Sequence, residues 1–262
     1  MPPQEGQEDK YIKKRSIQHM KDLTFLRSVH HSNELTLDVV KEYIDVHYER
    51  IKKTCSLVEG LSGKCLELGS SPYFMSMILR DQFEMTLANF FDPNNRGGVI
   101  PVTILSEDSP WKTGYYNFNV EEDKFPFQDE QFDLVMFCEI IEHLQNNPAH
   151  TLHEIYRVLS PGGIVVLTTP NVARRNNIYN LIKGYNIYDN YSKYGPYGRH
   201  NREYTKWELI ALLQYCGFEP QIVAIEDVYP SCVRQWHIKD GQNILIRAKK
   251  GKSNGVKPGL LY

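Results

Sequence analysis

The stretch Lys64–Phe74, KCLELGSSPYF, decides how the rest of the chain is read. Its first half is apolar enough for a buried strand, with one carboxylate, Glu67, near the end. Gly69 closes that strand, Ser70, Ser71 and Pro72 make a turn, and Phe74–Leu79 has the apolar character of a packed helix. A strand that stops at a glycine and turns straight into a helix is the opening unit of a parallel α/β sheet. Glycine in such a turn lets the backbone approach a ligand with no Cβ in the way.

Outward from that unit, the chain alternates strands and helices. Strands are expected at Met85–Phe91, Tyr115–Glu121, Phe132–Glu139 and Gly163–Pro170, and two more at Gln221–Val228 and Asn243–Lys249. Gly163–Pro170, GIVVLTTP, is almost wholly apolar, as a strand covered on both faces must be. Helical spacing of Leu37, Val40, Tyr43, Ile44, His47 and Ile51 predicts an amphipathic helix within Leu35–Val58. Pro148–Leu159 is a second helix, closed by SPGG. A third is opened by the capping box Thr205-Lys-Trp-Glu208 and stopped by Gly217. Asp92–Thr113, with Pro93, Gly97, Gly98, Pro101 and Pro110, reads as an irregular excursion. There is no internal repeat.

The fold class is therefore α/β and Rossmann-like: a mostly parallel seven-stranded sheet flanked by helices, its last strand antiparallel because no helix-length crossover precedes it. Three parts follow: 1–58, a polar segment and amphipathic helix; 59–250, the sheet domain; 251–262, a basic tail. Ligands of such sheets bind beyond the carboxyl ends of the strands. That rule gathers Gly69, Asn89, Glu121, Cys138, Glu139, Thr169 and Asn171 around one cleft.

Composition sets the outer bounds. The 262 residues carry 30 Lys+Arg against 32 Asp+Glu, a formal charge of −2, which argues against a nucleic-acid partner. No apolar run approaches the roughly 20 residues that span a bilayer. The start, MPPQEGQEDKYIKKRS, has no apolar stretch of a secretory leader. Cys55, Cys65, Cys138, Cys216 and Cys232 form no CxxC pair, so reduced thiols in a cytoplasmic protein are expected.

Four ordered stretches, CLELGSSPYF, FDLVMFCEIIEHL, LHEIYRVLSPGGIVVLTTPN and REYTKWELIALLQYCGF, resemble the class I S-adenosylmethionine-dependent methyltransferases over residues 60–250. The resemblance implies S-adenosylmethionine as cofactor, held by Glu67, Gly69, Ser70 and Ser71 at the first turn. Asn89 and Phe90 follow at the second strand end, Val120 and Glu121 at the third, and Cys138 at the fourth. Ser71 and Tyr73 stand where the family often has further glycines, and Asn89 where it usually has an acid for the ribose. GSSPYF is a poor match to the dinucleotide pattern GxGxxG, which disfavours a nicotinamide cofactor.

CEIIEHL places Glu139, Glu142 and His143 just after the fourth strand, and on a helix these positions would share a face. His200 follows in GRHNREYT. The ExxEH pattern with a later His is similar to two metal-dependent groups, the small-RNA 3′-end 2′-O-methyltransferases and the ubiquinone-pathway O-methyltransferases. It implies a divalent metal on Glu139, Glu142, His143 and His200, with His143, Glu139 and His200 at the reacting hydroxyl. Mixed carboxylate and imidazole ligands suit Mn²⁺, Fe²⁺, Co²⁺ or Zn²⁺ better than Mg²⁺. A metal-free general base, His143 or His200, and purely structural roles remain alternatives.

Residues 174–204 are the expected acceptor segment. Seven tyrosines, Tyr179, Tyr185, Tyr188, Tyr191, Tyr194, Tyr197 and Tyr204, are interleaved with Asn and Gly, beside Arg174, Arg175, Arg199 and Arg202. Aromatic faces with hydroxyl tips suit sugars and other polyhydroxylated ligands. The same surface is an alternative contact for a homodimer. The expected activity is O-methylation of a small-molecule acceptor. An N-acceptor, an RNA 3′ end, and a non-catalytic protein that kept the fold are the alternatives.

Overall fold

The computed structural model describes residues 22–31, 37–107, 110–188, 198–229 and 240–252. The first 21 residues, the tail from 253, Cys232, and Tyr191, Tyr194 and Tyr197 lie outside them. In chain order the elements are α1 (Leu23–Leu26), β1 (His30–His31), α2 (Leu37–Ser56), β2 (Gly63–Leu68), α3 (Phe74–Leu79), β3 (Phe83–Asn89), β4 (Val99–Leu105) and β5 (Trp111–Asn117). There follow β6 (Phe132–Cys138), α4 (Pro148–Val158), β7 (Leu159–Pro170), α5 (Arg175–Ile182), α6 (Lys206–Tyr215), β8 (Phe218–Glu226) and β9 (Asn243–Lys250).

The strands form one sheet in the order β1-β4-β5-β3-β2-β6-β7-β9-β8. The five from β5 to β7 are parallel. β9 enters antiparallel between β7 and β8, as expected for the last strand. All seven expected strands are present, and β1 and β4 extend the sheet beyond β5 by antiparallel pairing. The expected irregular stretch 92–113 is thus corrected: it contains β4 and the start of β5. Pro101 is tolerated in β4 because β1 pairs with that strand only at Ile104 and Leu105, which leaves the other edge at Pro101 without a partner strand among the described residues.

Alternation places successive side chains on opposite faces. Leu134 and Met136 of β6, with Ile164 and Val166 of β7, join a core under α2 and α3. Val135 and Phe137, with Val165 and Leu167, join a second core under α4 and α6, where Phe125 and Phe127 also pack. Both faces are dry, so β6 and β7 read as continuous apolar runs. The α6 capping box forms as expected: Thr205 accepts from the Glu208 amide while the Glu208 side chain returns to the Thr205 amide. Cys65, Cys138 and Cys216 are free thiols, and the Cys55 thiol lies 3.8 Å from the Met75 sulfur. Among the described residues, no helix is long and apolar enough to cross a membrane.

Candidate active site

Three cavities open beyond the carboxyl ends of β2, β3, β6 and β7. One of about 130 Å³ is lined by Glu67, Gly69, Ser71, Arg50, Met136 and Cys138. A more apolar one of about 200 Å³ lies against Asn89, Phe90, Phe118, Val120 and Ile140. The largest, about 490 Å³, is polar and lined by His47, Glu142, His143, His200, Glu203 and Asn243, among others. Glu139 borders all three.

The first turn is built as its sequence requires. Gly69 has φ 63°, and a Cβ there would meet the Ile140 side chain at 2.8 Å. Glu67 is buried and accepts from the Ser76 hydroxyl; burial pushes its pKa up to about 8, with that hydrogen bond working against the rise. Asn89 lines the apolar cavity, and its side-chain amide is also bonded within the protein. Its Oδ1 accepts from the Ser71 amide at 3.1 Å and its Nδ2 donates to Ser70 Oγ at 2.9 Å, so it ties β3 to the turn. Phe90 lines the apolar cavity, with Arg96 over its ring at 5.2 Å, and Val120 lies beside it.

Glu121 is placed differently from the sequence expectation. β5 ends at Asn117, so Glu121 lies in the following turn. There its carboxylate accepts from the backbone amides of Gln145, Asn146 and Asn147. It braces the loop into α4 and is absent from the cavity linings named above. Cys138 closes β6 beside the first cavity, its thiol pKa raised by burial.

The ExxEH stretch is not the helix assumed from spacing. Glu139 has φ 54°, and Ile141–His143 form a single 3-10 turn. This turn separates Glu139 from its neighbours. Its carboxylate is taken by Arg50 at 2.5 Å, by the Thr168 hydroxyl at 2.7 Å and by Asn243 Nδ2 at 2.9 Å. Glu142, His143 and His200 come together instead, each offering an atom within 4.8 Å of the others.

That trio has a particular chemistry. Glu142 is 0% exposed; Thr169 donates to its Oε2 at 2.8 Å, while Oε1 has no hydrogen-bond partner among the described residues. Burial, and then the charge of Glu139, pushes the Glu142 pKa up to about 8. His143 Nδ1 lies 2.9 Å from the Arg199 carbonyl, which can only accept, so Nδ1 is the donor and in the neutral ring the lone pair sits on Nε2. His200 Nδ1 lies 3.0 Å from Glu203 Oε1, which settles its tautomer the same way. Burial would raise the pKa of Glu203, but hydrogen bonds from His200 and Arg174 outweigh it and hold the carboxyl below its ordinary value.

Among the described residues, none of the tyrosines of the 174–204 segment lines these three cavities. Tyr179, Tyr185 and Tyr188 are exposed, and Tyr204 is buried in the core under α4 and α6. The aromatics of the polar cavity are instead Tyr43 and Tyr229. Sequence reasoning also passed over Arg50, whose Nη2 donates to Tyr43 at 2.9 Å. The signal was there: Tyr43, His47, Arg50 and Thr54 recur at helical spacing as a polar stripe on a helix read only for packing. Asn243 carried no comparable signal, because only the insertion of β9 next to β7 brings it to Glu139.

Sheet order, first turn and cavity positions define a class I S-adenosylmethionine-dependent methyltransferase fold. Residues 105–167 match the family model for a methyltransferase domain. The ubiquinone biosynthesis O-methyltransferase of Rickettsia typhi is 23% identical over 155 residues, 59% of this chain and 56% of that protein. Its counterpart in Rickettsia prowazekii is 23% identical over 154 residues, 59% of this chain and 55% of that protein. The chain spans about half the length of these curated relatives. Among solved structures, a candidate S-adenosylmethionine-dependent methyltransferase from Listeria monocytogenes superposes with a TM-score of 0.53 at 10% identity, covering 78% of this chain and 99% of that one. A candidate methyltransferase from Bacillus halodurans gives 0.51 at 16% identity, covering 77% and 98%.

Proposed function

We propose that this chain is an S-adenosylmethionine-dependent O-methyltransferase that uses a divalent cation held by Glu142, His143 and His200 to methylate a hydroxyl of a small polyhydroxylated acceptor. The observation that carries the reading is Glu142 Oε1, a fully buried carboxylate oxygen with no partner among the described residues, grouped with two imidazoles whose Nδ1 atoms are held by the Arg199 carbonyl and by Glu203. A buried carboxylate without a partner is costly, and a cation in that group removes the cost. One carboxylate and two imidazoles fit Mn²⁺, Fe²⁺, Co²⁺ or Zn²⁺. The O-methyltransferase names of the Rickettsia relatives support the choice of oxygen as acceptor atom.

The cofactor fits the two smaller cavities. Gly69 borders both of them, and Phe90 with Val120 provides apolar walls for a planar base. Buried Glu67 borders the first cavity, where a cationic amine would stabilise its ionised form. Bound S-adenosylmethionine supplies a methyl group on sulfonium, and the cation supplies Lewis acidity at the acceptor oxygen. The protein's own residues then have three tasks. The walls align acceptor and sulfonium for in-line attack. His143 and His200 present Nε2 towards the polar cavity, held in that tautomer by the Arg199 carbonyl and Glu203. Glu139, standing between the cavities, is kept in place by Arg50, Thr168 and Asn243.

The His200–Glu203 contact favours one second reading, in which His200 takes the hydroxyl proton without a metal. Chelator-treated protein separates the two when assayed with S-adenosylmethionine and a panel of vicinal diols and catechols. The cation reading expects turnover to disappear and to return with Mn²⁺. Undiminished turnover of thoroughly stripped protein sinks it in favour of the general base. Absence of S-adenosylhomocysteine binding by calorimetry would remove both.

A further inference from the structure

We infer that Glu203 is the positioning residue for His200: its carboxylate fixes the imidazole for cation binding and, through Arg174 and Asn177, ties the acceptor side of the cleft to the cation site. This inference rests on the cation reading above and deepens it. An ionised carboxylate has about four acceptor positions. In Glu203 four donors fill them. Oε1 takes His200 Nδ1 at 3.0 Å and Arg174 Nη2 at 3.0 Å, while Oε2 takes Arg174 Nη1 at 2.5 Å and Asn177 Nδ2 at 3.2 Å.

Saturation means that Glu203 has no oxygen left to offer a ligand, so it acts through His200. Side-chain exposure of Glu203 is 5%, against 32% for His200, which sets the imidazole between a buried anchor and the open cavity. Carboxylate-held histidines keep their tautomer and orientation and gain basicity as ligands, and losing such a partner typically weakens metal affinity about 10- to 100-fold. His143 has a different support, a backbone carbonyl. The two imidazoles therefore respond to different changes: His143 follows the chain at Arg199, and His200 follows a side-chain network.

That network reaches further. Arg174 is the N-cap residue of α5, and Asn177 is buried within α5. Backbone bonds bind the same two segments: Val172 N donates to the Tyr204 carbonyl at 3.0 Å. Arg174 and Asn176 line the polar cavity together with His200 and Glu203. A shift of α5 by an acceptor is thus passed to His200 through one carboxylate.

The test is a Co²⁺ titration of the full chain, with no other ligand, followed by its visible absorption. Glu203→Gln should weaken Co²⁺ binding about 10- to 100-fold and alter the visible band, while S-adenosylhomocysteine affinity stays unchanged. Arg202→Gln, which removes the neighbouring Arg202–Glu208 ion pair and leaves the Glu203 carboxylate with its four donors, should keep Co²⁺ affinity at the wild-type level. Equal losses in both variants, or parallel loss of S-adenosylhomocysteine affinity, would mean that the network only holds the fold, and would overturn the inference. If Glu203→Gln does not fold, Glu203→Asp carries the same expectation, because it withdraws the carboxylate from Nδ1 by one methylene. Tight wild-type binding with an unaltered Glu203→Gln overturns the positioning role alone. A wild-type protein that binds no Co²⁺ overturns the cation reading and this inference together.

Discussion

Two buried carboxyl groups dominate the site at the level of single residues, and both are kept against their solvation. Glu67 has a folded-state pKa of about 8 against an ordinary 4.5, so its protonated form is favoured in the folded protein. The stability it contributes is full below about pH 4.5 and is lost as pH rises through about 8. In the ligand-free protein, Glu67→Gln should therefore gain on wild type as pH rises across that window, by at most about 1.4 kcal/mol per pH unit. A wild-type-minus-variant difference in denaturant midpoint that does not change with pH counts against a buried, neutral Glu67. Glu142→Gln should raise the stability of the cation-free protein at pH 8 by about 1–3 kcal/mol, since a buried carboxylate with one unsatisfied oxygen is removed, while Mn²⁺ uptake is lost. A variant that is less stable and still takes up Mn²⁺ refutes that account of Glu142.

At the scale of elements, α2 matters more than its position ahead of the sheet would indicate. It brings Arg50 to Glu139 at 2.5 Å, with side-chain exposures of only 10% and 16%. Breaking a buried pair by removing one partner leaves an uncompensated charge, so Arg50→Ala should cost about 3 kcal/mol of stability. Arg50→Met combined with Glu139→Gln should recover most of that loss in thermal denaturation while methyl transfer stays impaired. Failure of the double variant to recover would mean that α2 docks by packing alone, through Ile44 and Ile51. The 3-10 turn at Ile141–His143 is the other decisive element. It turns ExxEH from a helical face into two functions, with Glu139 committed to Arg50 and Glu142 and His143 directed to His200.

For the molecule as a whole, the cavities proposed for the cofactor and for the cation share Glu139 as a border. A ligand that binds only the folded state stabilises it by about 2.7 kcal/mol at one hundred times its Kd. S-adenosylhomocysteine should accordingly raise the melting temperature of Glu142→Gln as much as that of wild type, whereas Mn²⁺ should raise only the wild type. Loss of the S-adenosylhomocysteine effect in the variant would show that Glu142 serves the cofactor side.

The sheet and its order of use were legible in the chain itself. Apolar runs such as FDLVMFC and GIVVLTT have to be buried on both faces, and a strand stopped at Gly69 has to turn, so periodicity and turn chemistry determined the seven strands and the edge where ligands gather. The approach of His200 to the ExxEH stretch was legible only through family likeness. Beyond the capping box of α6, the side-chain commitments at the site were not legible. Asn89 spends its amide on the turn, Glu121 spends its carboxylate on three backbone amides, and Glu139 answers to Arg50 from 89 positions earlier. Those choices depend on which donors arrive within about 3 Å in three dimensions. A linear pattern shows which groups can ionise or bond, while the tertiary structure alone decides which partner reaches each of them first.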